Sequence, residues 1–581
     1  MASSMLALFG FQFGQVASAV IIGNLLGSAA LSTMAVILPL QSLFSMAGAL
    51  LGVGTTVVCA RAIGKGQFAL CHRVFTLGYA LTLVTAVFLA LVLLLFLNPL
   101  IRFLGAGNEI FEDTRRFAFI LISGGLFTMS IFPAFNLLRM DGRSRSSVLI
   151  FLIMAAVNIT LSFILIAVFH LGIEAAALAS AAAFASAGVL GAVILFTGSK
   201  NFHFTRSIFS KQFRGEVFSN VKNIAAAGSP NAMEYLCIMA YSVVINRLIA
   251  ASFGVTGLST FKLIDSINAA ALIFIYGVTG PTVQFISVFD AEKDSKSIRQ
   301  LLIQALRWGG LFILVYTAAC EFFAPQIARI FGMSSEEILI VAVPAIRIFG
   351  VSIFLALINN VLFCVYQGEG RPLLSNILTV LRLLFWIVIA APILSARLGI
   401  NGIWHSFWLA EFLTLLIVAV LSLRYRRRRP YLTPLLLIDT EAEAKGVFKS
   451  FSVNNTLENI TQSSEGISEF CEQNTLGPKL TMAISLAIEE TLVLIREHCF
   501  LDKDDTMNAR VLITEDKVIL RIRNGGRYFN PLDYAKDPSG AEDIMGIKMI
   551  LALALNIDYH NTFGINNTTV LLQRKSTERA A

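Results

Sequence analysis

A chain of 581 residues with 56% hydrophobic and only 14% charged side chains, and a mean hydropathy of +0.75, lies far outside the composition of soluble globular domains. Its net charge of +8 is spread over alternate loops, which argues against a nucleic-acid partner and for a topological signal. Seven cysteines without a Cys-x-x-Cys pair exclude a disulfide framework or a zinc site of the usual spacing.

Apolar runs of about 20 residues, the length that crosses a bilayer, recur from the N-terminus to Leu423. About twelve spans are predicted, centred near Val16, Ala47, Val87, Leu126, Ile159, Leu190, Ala240, Leu272, Leu314, Leu357, Val388 and Leu415. The first has no basic leader or small-residue cleavage site and reads as a span, not a signal peptide. Because it begins at once, a short lead-in ahead of Met1 is expected.

The halves of this region repeat. Leu31-Ser32-Thr33 recurs at Leu258-Ser259-Thr260, Leu171-Gly172-Ile173 at Leu398-Gly399-Ile400, and Asp141-Gly142-Arg143 as Glu369-Gly370-Arg371. A steady offset over such a distance predicts two six-helix bundles, 1–199 and 223–424, joined by a linker at 200–222. Two similar halves are the pattern of a secondary transporter that rocks around a site between them.

Loop charge predicts orientation. One set of loops carries Arg61, Lys65 and Arg73, then Arg139, Arg143 and Arg145, then Lys200, Arg206, Lys211, Arg214 and Lys222. Lys293, Lys296, Arg299, Arg371, Arg424 and the arginines at 426–429 continue it. The opposite loops hold few cations, among them Arg102, Arg115 and Arg116. Both termini and the linker are therefore expected in the cytoplasm of a multi-pass plasma-membrane protein.

Charges inside spans are costly and normally face a cavity or a partner. Glu234, Asp265, Glu411 and Arg382 are the candidates for binding a coupling ion or substrate. Lys262, three residues before Asp265, could neutralise it on one helix face. Asn246 and Arg247 lie nearer a helix end and read as anchors.

The first half carries Ile22-Gly23-Asn24-Leu25-Leu26-Gly27-Ser28, Leu38-Pro39-Leu40, Gly52-Val53-Gly54-Thr55-Thr56 and Ala60-Arg61-Ala62-Ile63-Gly64-Lys65-Gly66. Asn158-Ile159 precedes Leu171-Gly172-Ile173-Glu174. The second half carries Gly228-Ser229-Pro230, Gln367-Gly368-Glu369-Gly370-Arg371-Pro372, Arg382 and Pro392. Over residues 1–424 these motifs resemble the MATE (multidrug and toxic compound extrusion) family. The resemblance implies two six-helix bundles around a central cavity and export of organic, often cationic, small molecules in exchange for H+ or Na+. It also implies an acidic cavity residue near Glu234. Two departures stand out: the resemblance places an acid where Ser18 stands in span one, and another where Ser162 stands in span five. The first half is poor in acids, so coupling is expected from the second. Most of the glycines read as packing positions, where small residues let helices approach.

Beyond Pro430 the composition turns polar and a cytoplasmic α+β domain is expected over 436–581. Residues 447–453 read as a strand, 478–498 as a helix, and 509–514 with 518–523 as a hairpin. A helix over 541–555 and two strands over 556–573 follow. Helices on one face of an antiparallel sheet make an α+β sandwich. Leu486-Ala487-Ile488-Glu489-Glu490-Thr491, Arg521-Ile522-Arg523-Asn524-Gly525-Gly526 and Gly546-Ile547-Lys548 resemble boxes of the histidine-kinase-like ATPase fold, in the style of anti-sigma-factor kinases. The resemblance implies ATP or ADP as ligand, through Glu490, Asn524, Gly526 and Gly546. Leu494 stands where the family holds Mg2+ with Asn, and only Gly540 and Gly546 represent the lid. A nucleotide-sensing or degenerate regulatory module, serving a cytoplasmic partner protein, is favoured over an active kinase.

The leading expectation is thus an antiporter that needs no cofactor and has no catalytic residues, with a regulatory tail. A flippase for a lipid-linked or polysaccharide intermediate, and a receptor signalling through an anti-sigma-like domain, are the alternatives.

Overall fold

The structure, a computed structural model, describes residues 2–64, 68–141, 143–199, 202–205, 211–291, 294–499, 506–534, 545–562 and 565–574. Lys65, Gly66, Gly142, Lys200, Arg206, Lys293 and Gly540, together with positions 541–544, lie outside them. Two units emerge: Met1–Thr282 with Ile303–Gln367 and Arg371–Val420, and Val283–Leu302 with Gly368–Gly370 and Leu421–Ala581. The tail thus groups with Val283–Leu302, the end of α9 and the start of α10, which the sequence places within the second bundle.

The apolar region folds into helices α1 (Ala2–Leu26), α2 (Ser28–Gly64), α3 (Phe68–Leu95), α4 (Leu97–Leu104), α5 (Phe111–Ser123), α6 (Gly125–Met140), α7 (Ser144–Phe163) and α8 (Ile173–Gly198). The second half gives α9 (Lys211–Ala291), α10 (Ser295–Phe322), α11 (Ala324–Ile330), α12 (Glu336–Gly368), α13 (Pro372–Val380), α14 (Trp386–Leu398) and α15 (Ile400–Arg428). The linker expected over 200–222 is helical from Lys211 onward.

At 81 residues α9 would run roughly 120 Å if straight, several times what a bilayer core needs. Its backbone leaves the helical region at Gly254, φ 58° and ψ −147°, which makes it two spans. Gly27, 227 positions earlier, parts α1 from α2 with φ 82°. Gly105 and Gly332, again 227 apart, have φ of 103° and 77° and close the short helices α4 and α11. The internal repeat is therefore written in backbone geometry at positions where a Cβ would be strained.

Among the described residues nine helices are long and apolar enough to cross a membrane, and α5 with α6, bent by 46°, pass as one further span. This is a polytopic membrane protein; α9 divided at Gly254 and the shorter apolar helix Gln12–Leu26 would bring the number to the twelve expected. Val84, Phe88, Leu91 and Leu95 are exposed on α3 at a spacing of three to four, one apolar helix face that suits lipid and not water.

Glycine lets the halves touch. A Cβ on Gly23 would collide with the Phe331 carbonyl, and one on Gly228 with the Leu50 carbonyl. Nearby, Ser32 Oγ donates to Val255 O at 2.7 Å, and Asn246 Nδ2 to Ala35 O at 2.9 Å.

In the second unit α16 (Glu441–Lys445), β1 (Val447–Asn454), α17 (Leu457–Gln473), α18 (Pro478–Cys499), β2 (Thr506–Ile513), β3 (Lys517–Asn524), α19 (Pro531–Tyr534), α20 (Met545–Leu553), β4 (Ala554–Thr562) and β5 (Ile565–Gln573) follow in order. The sheet runs β1-β2-β3-β5-β4 and is antiparallel throughout. Ala509, Val511, Leu520 and Ile522 share one core with Ile467, Ile484, Ile488 and Ile550, so one sheet face is covered by α17, α18 and α20. Helix α17 is absent from the sequence reading; its polar composition hides an apolar stripe of Ile460, Ile467 and Cys471.

Candidate transport site and the tail boxes

The four intramembrane charges meet in one cavity. Glu234 and Asp265 of α9, Arg382 and Glu411 line it with Tyr241, Asn268, Tyr276 and Ser352. Arg382 sits on a π-helical turn, Leu381–Phe385, between α13 and α14, a register shift that often marks functional positions.

Their pairings differ. Arg382 Nη2 is 2.9 Å from Glu411 Oε1, and its Nε donates to the same oxygen at 3.1 Å. Asn359 Nδ2 donates to Glu411 Oε2 at 2.6 Å and to the Glu411 carbonyl at 3.0 Å. Glu411 is thus satisfied on both oxygens. Lys262 Nζ lies 2.6 Å from Asp265 Oδ2, the helix-face neutralisation open to that spacing. Glu234 Oε1 accepts from the Tyr276 hydroxyl, and among the described residues no ion pair reaches it.

Glu234 also lines two neighbouring cavities. One adds Gln12, Gln15 and Gln41 with Lys262 and Asp265. The other is bounded by Phe132, Phe135, Asn136, Asn231 and Tyr235. Glu234 is thus common to all three spaces, and in the third it faces only neutral amides, hydroxyls and apolar or aromatic side chains. Residues 1–199 hold Glu109, Glu112, Asp113, Asp141 and Glu174 as their acids, all in loops or at the first turn or cap of a helix. Ser18 and Ser162 are buried, and Asn158 Nδ2 bonds Ser180 Oγ at 3.2 Å. Tyr276, Asn359 and the three glutamines escaped the sequence reading, because a neutral polar residue in an apolar run carries no charge to flag it.

In the tail the box residues are engaged in holding the fold. Glu490 accepts Gly546 N on Oε1 at 2.8 Å and Ile547 N on Oε2 at 2.9 Å, capping α20. A Cβ on Gly546 would meet Ala487 N and Leu486 C, so this glycine seats α20 against α18. Asn524 Nδ2 donates to Gly525 O at 2.7 Å, and Gly526 turns the chain at φ 90°. The nearby cleft is lined by Ile488, Thr491, Leu520, Ile547 and Ile550. Leu494 is buried and offers no metal ligand. The residues present do not fit a magnesium nucleotide: the carboxylate is occupied by α20 and the metal position is apolar.

A repeated set of apolar helices with a cavity of buried charge in the second half is the architecture of a polytopic membrane transporter. The MatE family profile matches residues 4–164 and 230–391, one copy per half; the chain belongs to the MatE family. It is similar to the multidrug export protein MepA of Staphylococcus haemolyticus (strain JCSC1435), with 23% identity over 426 residues, 70% of this chain and 88% of the relative. It is similar in structure to a multidrug resistance MATE family transporter of the MOP superfamily, in its inward-facing conformation at a TM-score of 0.63, with 22% identity over 72% of this chain and 94% of the other. The outward-facing conformation gives a TM-score of 0.59 at 22% identity, over 74% of this chain and 94% of the other. A MOP superfamily transporter from Pyrococcus furiosus Vc1 (DSM3638), described by the reverse polarity of its binding pocket, gives 0.58 at 22% identity, over 74% and 97%.

Proposed function

We propose that the protein is a secondary-active antiporter exporting organic, cationic compounds in exchange for H+ or Na+, with both termini in the cytoplasm and Glu234 as the site of exchange. Glu234 carries the reading. Asp265 and Glu411 are each bound to a cation of the protein, while Glu234 meets a neutral phenol and borders three cavities. An acid so placed can take up either a coupling ion or a cationic substrate, and competition between the two is what exchange requires. The aromatic and amide lining favours flat cations through ring contacts. The family membership, the likeness to a multidrug export protein, and cation-rich loops at 61–73, 139–145 and 424–429 support the rest.

The tail is a regulatory module of the histidine-kinase-like ATPase type with degenerate boxes. Its order of strands and helices supports that type, and the engagement of Glu490 with α20 supports degeneracy.

Purified protein in proteoliposomes, loaded with a cationic dye and given an imposed proton or sodium gradient, tests the antiport. Gradient-driven dye movement is expected from the native protein and none from Glu234→Gln. Undiminished transport by that variant overturns the assignment of Glu234, and absence of gradient-driven movement in the native protein overturns antiport itself.

A further inference from the structure

The second unit holds a buried charge cluster that transport chemistry does not use. Arg510 of β2 and Arg521 of β3 are direct cross-strand partners, with Arg523 further along the same face. Like charges placed opposite each other on a sheet repel, and at 4% and 5% side-chain exposure water does little to screen this pair. A carboxylate from outside the sheet neutralises them. Asp294, in the turn between α9 and α10, puts Oδ1 2.6 Å from Arg510 Nη1. Its Oδ2 pairs with Arg521 Nη1 and lies 3.5 Å from Arg523 Nη2.

The contact extends on both sides. Glu443 Oε1 is 2.6 Å from Arg510 Nη2 and accepts Ser295 N at 3.1 Å. Lys296 Nζ stands 4.4 Å from the Phe448 ring, and the Arg523 guanidinium 4.1 Å from the Phe289 ring. The sheet face opposite the helices, with Glu443 of α16, therefore grips Asp294 and the first residues of α10. Asp294 is also the N-cap of α10, accepting Ser297 N at 3.1 Å and Ser297 Oγ at 2.6 Å. Burial pushes its carboxyl upward, but Arg510, Arg521 and the Ser297 bonds outweigh that and hold it below the usual range.

We propose that the arginine face of the tail sheet is a docking surface for the α9–α10 turn of the same chain, latched by Asp294, and that this latch slows transport. The second half of the statement rests on the antiport reading. The turn joins two consecutive spans, and α9 and α10 run helically into it from either side. Holding it at a buried ion cluster opposes any relative movement of those helices, and release of the cluster frees it. The tail is then a brake that acts by contact and needs no nucleotide.

The full-length protein carries the test. Asp294→Asn keeps the α10 cap, since Asn caps as well as Asp, but removes the carboxylate that Arg510, Arg521 and Arg523 share and leaves Glu443 on Arg510. Trypsin cleavage within 426–429 is expected to quicken several-fold, and dye export in proteoliposomes to rise. Lys296→Cys with Phe448→Cys, bridged by a short cleavable cross-linker, locks the turn; the native cysteines are buried and leave the introduced pair to react. Export is expected to fall and to recover on cleavage of the bridge. A cleavage rate in Asp294→Asn equal to that of the native protein overturns the docking. Equal export from locked, native and released proteins overturns the brake while leaving antiport intact, and export from none of them overturns antiport while the trypsin result still judges the docking.

Discussion

The guanidinium of Arg382 and the carboxylate of Glu411 lie 2.9 Å apart, both buried within a membrane span, with Asn359 closing the remaining oxygen. Breaking one side of such a pair strands a charge, at a cost of about 3–5 kcal/mol. Glu411→Gln is therefore expected to lower the melting temperature in detergent, and Arg382→Met with Glu411→Met to recover most of it. A Glu411→Gln protein that melts like the native one but fails to transport would return Glu411 to the coupling site.

Tyr276 supplies the hydrogen bond that orients Glu234. Tyr276→Phe should preserve export with a weakened apparent affinity for the dye, because the acid remains but its position is less defined. Glu234→Gln should abolish export. A Tyr276→Phe variant as inactive as Glu234→Gln would show that the phenol itself carries the exchange.

Orientation is open to direct labelling. Among the described residues the native cysteines are all buried, so a cysteine at Asn108, in the loop between α4 and α5, should react with an impermeant maleimide in intact cells. A cysteine at Glu441 should react only after permeabilisation. The reverse pattern would invert the proposed topology.

Much of the membrane region was legible, because a bilayer imposes length and hydropathy on every span and because glycine recurs with positive φ at the paired positions 27 and 254, and 105 and 332. The four charged site residues were legible for the same reason: a charge in an apolar run is conspicuous. Their pairing was not. Glu411 meets Asn359 and Arg382 across helices 52 and 29 residues away, and the π turn that aims Arg382 leaves no mark in composition. In the tail, Arg521 and Arg523 read as part of a nucleotide box and Arg510 as part of a hairpin strand, whereas Asp294, from elsewhere in the chain, pairs with all three.

The Asp294 cluster sets an expected pH response. Its carboxyl is held below the usual range, so its contribution is fully present above the unfolded value of about 3.9 and is lost as pH falls through the lower folded value. Arg510, Arg521 and Arg523 stay charged throughout, and Glu443 shares Arg510. Trypsin resistance at 426–429 should therefore not vary through this carboxyl between about pH 5 and 8. A loss centred near neutrality would point to a different titrating group.

Glu490 predicts the tail's behaviour toward nucleotide. Glu490→Leu removes the acceptor for two orphan N–H groups of α20, at a cost of about 1 kcal/mol by analogy with capping side chains. Hydrogen exchange over Met545–Leu553 should quicken. Calorimetry on the full-length protein with ATP should show weak or no binding and no dependence on magnesium. Tight, magnesium-dependent binding would mean that Glu490 lets go of α20 to take up the ligand.

The glycines at 27 and 254, and at 105 and 332, carry a consequence for ancestry. Each half holds six spans, an even number, so both copies enter the bilayer facing the same way and are related by rotation about an axis along the membrane normal. A half-length ancestor would have assembled as a symmetric dimer, contributing the same face twice. Two identical halves would carry the same acids, whereas this chain has Ser18 and Ser162 in one half and Glu234, Asp265 and Glu411 in the other. The asymmetry of charge between the halves is thus a property that a pair of identical copies could not possess.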